Sequence, residues 1–542
     1  GTTMAEDRVS SGATDRGFER HAFTVTLLTA ASRVGGLVRE ACFSRLLGSG
    51  PVAGAFFFAF MVPNLFRRLF GEGALSAALI PEQTRLERRD PAAARRLVSS
   101  MLSWMAILLG GAVLVAEVVF ALLPAESRTL GIELLRISFP YMPLICLAAI
   151  AGAVLQVRGR FGPLAAAPVL LNGVLVVAVV AAWWRGGGVE VGDSGIRLVA
   201  WAVVLAGVLQ AGWTLIALRR SNPRVEGVDP VRSRRRMRLA RRRVLLRSLP
   251  MMLGLGVLQV NTLLDGLIAS WPNVVGDTIL GRPYPLDDRA MADLTYAMRL
   301  YEFPLGVFGI AIATAIFPQL SREVGDRARF AATIRRGLRL GLFLGIPASV
   351  GVILVREPLT EVVLLGGAFD VADAGRVSTI LLAYATAIWS YSTTHLLVRA
   401  FYARREPMTA VRVAMAIVAL NFVLNVTLVF GTSLGVAGLA WSTAICSVVQ
   451  TALLATLLSR RSGALIDRGV LDSVGRTLIS TGVMAIVVGG VLAWVPFDRL
   501  AGTWLAALIA LAAASGLGAA VHLGLARLGR RPELDWALGR DR

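Results

Sequence analysis

The stretch Pro163-Leu-Ala-Ala-Ala-Pro168-Val-Leu-Leu-Asn172-Gly-Val-Leu-Val-Val-Ala-Val-Val-Ala-Ala-Trp183-Trp184 carries no charged side chain and ends against Arg185. At ~1.5 Å per residue it is long enough to cross the ~30 Å hydrocarbon core of a bilayer as a helix. Apolar runs of the same kind, bounded by charge or by Gly and Pro, recur at 22–47, 52–81, 95–123, 132–157, 195–218, 248–272 and 290–317. Six more follow at 333–355, 374–402, 408–430, 434–459, 473–496 and 501–526. Together with 163–184 they predict fourteen transmembrane helices. The composition agrees: of 542 residues, 56% are hydrophobic and only 17% charged, where a soluble domain carries about 25% charged residues. With a mean hydropathy of +0.67, the chain reads as an all-α polytopic membrane protein with no room for a large soluble domain.

All 56 basic residues are arginine. The absence of lysine removes the P-loop and Schiff-base chemistries together. A net charge of +21 would suggest nucleic acid in a soluble protein. Here the arginines fall in every second connection: Arg85 to Arg96, Arg158 and Arg160, Arg232 to Arg247, Arg322 to Arg339, Arg404 and Arg405, Arg460 and Arg461, then Arg530 and Arg531. The connections between them are mixed or acidic, with Asp277, Asp287 and Asp288. Under the positive-inside rule this parity sets both termini in the cytoplasm. Cys42, Cys146 and Cys446 lie in apolar runs without metal-ligand spacing, and His21, His395 and His522 are too dispersed to compose a site. Gly1-Thr2-Thr3 ahead of Met4 reads as a cloning scar and the polar run to residue 20 as a cytoplasmic tail; the first span is expected to direct insertion without a cleaved signal.

The sixth run reads Ala200-Trp201, Gln210, Arg219-Arg220 and the twelfth Ala440-Trp441, Gln450, Arg460-Arg461. Weaker echoes pair Phe70-Gly71 and Pro81 with Phe308-Gly309 and Pro318, and Leu171-Asn172 with Leu420-Asn421. Six helices is an even number, so the halves repeat in parallel about an axis along the membrane normal, and such repeats place a substrate site between them. The expected division is a tail over 1–20, an N-lobe over 21–220, a basic cytoplasmic linker over 221–247, a C-lobe over 248–461, and two further helices with a cytoplasmic tail over 462–542. The arginine-dense stretch from Arg219 to Arg247 reads either as a helix on anionic headgroups or as a plain inter-lobe linker.

Several charges fall inside the apolar runs. The first contains Ser32-Arg33-Val-Gly-Gly-Leu-Val-Arg39-Glu40 and the second Pro63-Asn64-Leu-Phe-Arg67-Arg68-Leu-Phe-Gly71-Glu72-Gly73; the eighth contains Arg299 and Glu302. A central arginine costs about 2.5–3.5 kcal/mol on insertion scales, so Arg33, Arg39, Arg67 and Arg299 would together cost on the order of 10–14 kcal/mol if they faced lipid. Arg33 and Glu40 are seven apart and share a helix face, and Arg68 with Glu72 forms an i, i+4 pair that leaves Arg67 without an obvious partner. A buried ion-pair network is the plainer reading. A cationic cavity for an anionic substrate is preferred, because the excess is positive and arginine suits bidentate phosphate binding. A second polar group comprises Asn261, Thr262, Asp265, Asn421, Asn425 and Thr443. Interhelical hydrogen bonding accounts for it; a hard monovalent cation or a proton, held for coupling, is the alternative.

The motifs Ser32 to Glu40, Ala55-Phe-Phe-Phe-Ala-Phe60, Pro63 to Pro81, Arg299-Leu-Tyr-Glu302-Phe-Pro304-Leu-Gly-Val-Phe-Gly309 and Arg399-Ala-Phe-Tyr402-Ala-Arg404 resemble those of the MurJ (MviN) family of lipid II flippases in the MOP exporter superfamily, over nearly the whole chain. The resemblance implies fourteen helices in two six-helix lobes around a central cavity, with helices thirteen and fourteen forming a groove for an undecaprenyl tail. It implies substrate-binding roles for Arg33, Arg39, Arg67 and Arg299, and ion-pair or gating roles for Glu40, Glu72 and Glu302. Asp265, Asn421, Asn425 and Thr443 look like the counterpart of a sodium site found in some members. Gly54 and Met298 stand where many members have Asp, which leaves Arg299 one counter-charge fewer.

The function expected is therefore lipid II translocation from the cytoplasmic to the outer leaflet of the bacterial cytoplasmic membrane by alternating access. No catalytic group or cofactor is expected beyond Na+ or H+ as coupling ion. The expected partners are lipid II, membrane lipids and candidate cell-wall synthesis proteins, and no nucleic acid. The rivals are a MOP-type exporter of another polyprenyl-linked glycan, a drug exporter, a glycosyltransferase acting on lipid-linked sugars, and a non-transporting scaffold. A drug exporter would line its cavity with acid, and a glycosyltransferase would need a larger extramembrane loop than the one holding Asp287-Asp288.

Overall fold

The computed structural model describes residues 28, 31–71, 74–124, 127–188, 191–222, 229–494 and 503–538. Its elements are α1 (31–47), α2 (Pro51–Phe66), a π-helical turn (Arg67–Gly71), α3 (Ala74–Arg89), α4 (Pro91–Leu122), α5 (Leu130–Ser138), α6 (Tyr141–Val157), α7 (Gly162–Arg185) and α8 (Asp193–Arg220). There follow α9 (Pro230–Val274), the strands β1 (Thr278–Ile279) and β2 (Arg282–Pro283), α10 (Ala290–Glu323), α11 (Arg327–Leu364), α12 (Val371–Ala385) and α13 (Ile388–Ala403). The last elements are α14 (Pro407–Gly431), α15 (Ala437–Ser462), α16 (Arg468–Trp494), α17 (Trp504–Leu528) and α18 (Pro532–Ala537).

Among the described residues ten helices are long and apolar enough to cross a membrane, or eleven when the bent pair α12 and α13 counts as one. The expected first, seventh and eighth spans lie on α1, α9 and α10 and are not among those eleven. Helix α4 shows what solvates such elements. Ala94, Leu97, Val98, Met101, Met105 and Leu109 are buried on one stripe, while Ile107, Leu114, Val115, Val118 and Leu122 are exposed on the rest. A helix in water puts polar residues on its outer face; an apolar outer face belongs in lipid. The protein is a multi-pass membrane protein.

Four local features differ from the apolar-run reading. The second run is continuous in the sequence, yet α2 widens into the π turn at Arg67 and the chain resumes as α3. The fourth run breaks between α5 and α6 at Phe139-Pro140, because proline disfavours helical geometry at the residue before it and removes an N–H. The tenth bends by 44° between α12 and α13. From Pro230 onward the basic linker and the seventh span are one helix, α9, since Val231 to Leu249 is built of arginine, leucine, methionine, alanine, serine and valine without an internal glycine or proline; linker residues 223–228 lie outside the described residues. The two short strands pair antiparallel around Leu280 and Gly281, both at positive φ (50° and 76°), as a two-residue hairpin turn requires.

The chain folds as two compact units, one of Gly1–Leu47, Ala55–Gln259 and Asn273–Val275, the other of Gly48–Gly54, Val260–Pro272 and Gly276–Arg542. In the first, Phe43, Phe56 and Phe60 are buried against Tyr141, with Phe43 and Phe56 edge to face at 5.5 Å and Phe60 6.2 Å from Tyr141. Gly207 lets α8 approach this cluster: a Cβ there would lie 2.7 Å from the Tyr141 ring. In the second, Phe330, Ile334, Leu338, Leu396, Phe401, Leu454 and Leu458 join α11, α13 and α15 in one core. Val355, Met484, Val488 and Ala514 fasten α16 and α17 onto α11, so the last two long helices belong to the second unit.

Candidate functional site

The first unit carries Arg33, Arg39 and Arg67. Arg33 is exposed on α1. Arg39, whose side chain is only 12% exposed, is held from two sides: Nη1 donates to Asn172 Oδ1 at 3.0 Å, and Nη2 pairs with the buried carboxylate of Glu40. Asn172 in turn donates to the Ser32 carbonyl at 3.2 Å. A Cβ on Gly35 or Gly36 would stand 3.6 to 3.8 Å from the Asn172 amide, an ordinary van der Waals contact, so this arrangement does not depend on glycine at either position. Arg67 occupies the π turn, where Nε donates to Asn64 Oδ1 at 2.8 Å. Glu72 lies outside the described residues. On the second unit Arg299 pairs with Glu302 at 2.9 Å, both about one-third exposed (32% and 36%).

The second unit also gathers Asp265, Asn421, Asn425 and Thr443 from α9, α14 and α15. Asn425 Nδ2 donates to Asp265 Oδ1 at 2.5 Å and to Asn421 Oδ1 at 2.9 Å. Thr443 Oγ1 stands 3.5 Å and Asn261 Nδ2 3.4 Å from Asp265 Oδ2. Asn421 donates to Ser442 at 3.3 Å and Thr443 at 3.4 Å, and Ser442 donates to Asn425 Oδ1. Among the described residues every hydrogen-bond partner of Asp265 is neutral, and Asn261 Oδ1 is buried without a partner. Four residues with oxygen donors, one of them a carboxylate with only neutral hydrogen-bond partners, fit a hard monovalent cation; a half-turn of the Asn425 amide would present a further oxygen to Asp265.

A cavity of about 360 Å³ opens between α11, α16 and α17, lined by Phe343, Pro347, Val355, Met484, Val488 and Gly518 among others. Its lining is apolar apart from Ser515 and His522. Below it the chain closes on a buried ion group. Arg531 Nη2 donates to the Ser473 carbonyl and to Thr477 Oγ1 at 2.8 Å each, and Glu533 accepts from Ser473 Oγ and from Arg339 Nη2 at 2.7 Å each. Burial works against the Glu533 carboxylate, but these donors outweigh it and hold the carboxyl below its ordinary range. The indole of Trp536 lies under Arg336 and Arg339 at 4.8 and 4.9 Å.

The apolar runs brought out the arginines and the Asp265 group. They missed Asn172 as the acceptor for Arg39 and Ser442 as a member of the polar group; the signal for the first was a lone amide in the uncharged stretch 163–184.

The family model described as lipid II flippase MurJ matches residues 43–509. The probable lipid II flippase MurJ of Vibrio cholerae is 32% identical over 532 residues, covering 92% of this chain and 94% of that protein. The lipid II flippase MurJ of Burkholderia cenocepacia is 30% identical over 457 residues, covering 82% and 84%. A solved lipid II flippase MurJ in an inward closed conformation superposes with a TM-score of 0.74 at 21% identity, over 94% of this chain and 98% of that one. An inward-facing multidrug resistance MATE family transporter of the MOP superfamily reaches 0.63 at 15% identity, over 82% and 98%. The two structures share the fold, and the sequence relatives, aligned along most of their own length, carry the kinship further: the chain belongs to the MurJ family of membrane transporters.

Proposed function

We propose that the protein translocates lipid II from the cytoplasmic to the outer leaflet of the bacterial cytoplasmic membrane by alternating access, with its diphosphate held by Arg33, Arg39, Arg67 and Arg299. The observation that carries this reading is Arg39. A guanidinium largely withdrawn from solvent, oriented by Asn172 and Glu40, is prepared to meet a phosphate at little further cost in side-chain ordering. Its desolvated setting strengthens each contact with an anion. The apolar cavity along α11, α16 and α17 suits a polyprenyl chain. The Arg-rich connections, and with them both termini, face the cytoplasm.

The loaded diphosphate neutralises the arginines. Once emptied, they carry net positive charge, and an inside-negative potential draws them back at about 2.3 kcal/mol per charge per 100 mV. The Asp265 group would hold Na+, and binding there would bias the return. Asp265 supplies the charge, while Asn421, Asn425 and Thr443 supply neutral oxygens.

The test is complementation of a bacterium depleted of its own lipid II flippase, scoring outer-leaflet lipid II with an externally added cleaving toxin. Wild type is expected to restore cleavage, and Arg39→Ala to insert normally without restoring it. Cleavage by a normally expressed Arg39→Ala removes that residue from the substrate site. Failure of well-inserted wild type, together with no binding of purified lipid II, moves the protein to another polyprenyl-linked glycan.

A further inference from the structure

The cationic start of α9 carries none of the residues proposed to hold the substrate. Its inner face is fixed by packing: Ser233, Ala240, Val244 and Ser248 are buried on one stripe. Asp90, the N-cap of α4, accepts from Ser233 at 3.2 Å and from Arg236 at 3.1 Å. Burial opposes its charge, yet these donors and the Ala93 N–H outweigh that and hold its carboxyl below the ordinary range. Glu82 of α3 takes Arg247 at 3.2 Å and Arg243 at 3.7 Å.

The outer face is different. Arg235, Arg238 and Arg242 are exposed there and pair with no acid among the described residues. Leu239, Leu246 and Leu249 are exposed beside them, by 48%, 60% and 57%. At about 100° per residue these six side chains fall within an arc of roughly 100°, opposite the buried stripe. The depth of this face follows from α4. Arg241 Nη1 donates to Ser100 Oγ at 3.0 Å, and Ser100 precedes Trp104 by one turn, about 6 Å. Trp104 begins the exposed apolar surface of α4 that ends at Leu122, a length of about 27 Å that matches the hydrocarbon core. The basic segment therefore lies at headgroup level.

We infer that this outer face of α9 is a binding site for the anionic headgroups of glycerophospholipids in the adjoining leaflet, with the three arginines on phosphates and the three leucines in the acyl boundary. Arginine and apolar residues sharing one helix face are the composition of an interfacial segment. A connection in water gains nothing from the exposed leucines, and an acidic protein would be met by the arginines alone. The inference rests on the membrane placement of α4 and is independent of what the protein transports.

The full chain, purified in neutral detergent, is offered phosphatidylglycerol and phosphatidylcholine of the same acyl composition at equal concentration, and bound lipid is counted by native mass spectrometry. Wild type is expected to retain phosphatidylglycerol preferentially. Arg235→Gln/Arg238→Gln/Arg242→Gln should bind it about a hundredfold more weakly, at about fivefold per arginine, with phosphatidylcholine unchanged; the corresponding triple Lys variant should keep most of the preference. Equal retention by the Gln variant, or no preference in wild type, overturns the proposal. A photo-crosslinking residue at Leu239 or Leu246 in cells provides an arm that does not depend on the folding of the Gln variant. Lipid adducts support the site and adducts to a protein overturn it.

Discussion

Replacing Asp265 with Asn tests the proposed ion site, because it removes a charge and keeps a shape. In the wild type a carboxylate buried among neutral groups is the one formal charge available to a cation there. At about 2.5 Å and an effective dielectric near 20, its attraction for a monovalent cation is about 7 kcal/mol, so its loss should weaken binding by several orders of magnitude. The fold should survive. An amide oxygen can still accept from Asn425, and the new amide nitrogen can donate to Thr443 or to Asn261 Oδ1, which is buried without a partner. The assay is the thermal unfolding midpoint of the purified protein in sodium and in choline chloride at equal ionic strength. If the group holds sodium as proposed, sodium at a hundred times its dissociation constant should stabilise the wild type by about 2.7 kcal/mol. The variant should match or exceed the wild-type midpoint in choline and show no sodium increment. A sodium increment retained by Asp265→Asn refutes the assignment of the carboxylate, and collapse of the variant in choline refutes the argument from neutral partners.

Glu533→Gln should destabilise the purified protein at neutral pH by about 3–5 kcal/mol, because it leaves Arg339 and Arg531 without their shared buried counter-charge. The folded carboxyl titrates below its unfolded value of about 4.3, so its contribution is complete above that pH and is lost as pH falls through the folded value. Unfolding midpoints measured from pH 7 downward should therefore converge for wild type and variant only below about pH 4, and convergence at pH 6 would be inconsistent with the geometry. Gly345→Ala should cost about 1–3 kcal/mol, since its Cβ would meet the Trp389 Cα at 2.9 Å, where backbone cannot give way. Unchanged denaturation would show that α11 and α13 can separate freely.

The membrane architecture was legible because lipid imposes a single demand on every span, a run of apolar residues of fixed length. Breaks within runs were less legible. The fourth run reads as continuous across the break at Phe139-Pro140 although a proline stands in it, and nothing local marks the bend after Ala385. The polar group around Asp265 could be anticipated in part, since Asn421 and Asn425 stand one turn apart on the same face. Ser442 was passed over because its neighbour Thr443 points about 100° away and offered the same chemistry. The bond between Arg39 and Asn172 joins residues 133 apart in the chain, and periodicity within one helix carries no information about which amide of another helix it meets.

The π turn at Arg67–Gly71 gives this segment a particular mutational geometry. A π turn is an α-helix with one residue too many, so the chain there holds a spare residue that it can lose without breaking the helix. A single-residue deletion between 67 and 71 should be absorbed by closing the turn to α, and because the widened turn spends about one residue more than an α turn, the segments on either side should keep nearly the same facing. A deletion in the regular helix Pro51–Phe66 has no such slack and would rotate everything beyond it by about 100°. Chain length and side-chain direction are thus uncoupled at the π turn and tightly coupled in the helix before it, so the same one-residue change has opposite consequences a few positions apart.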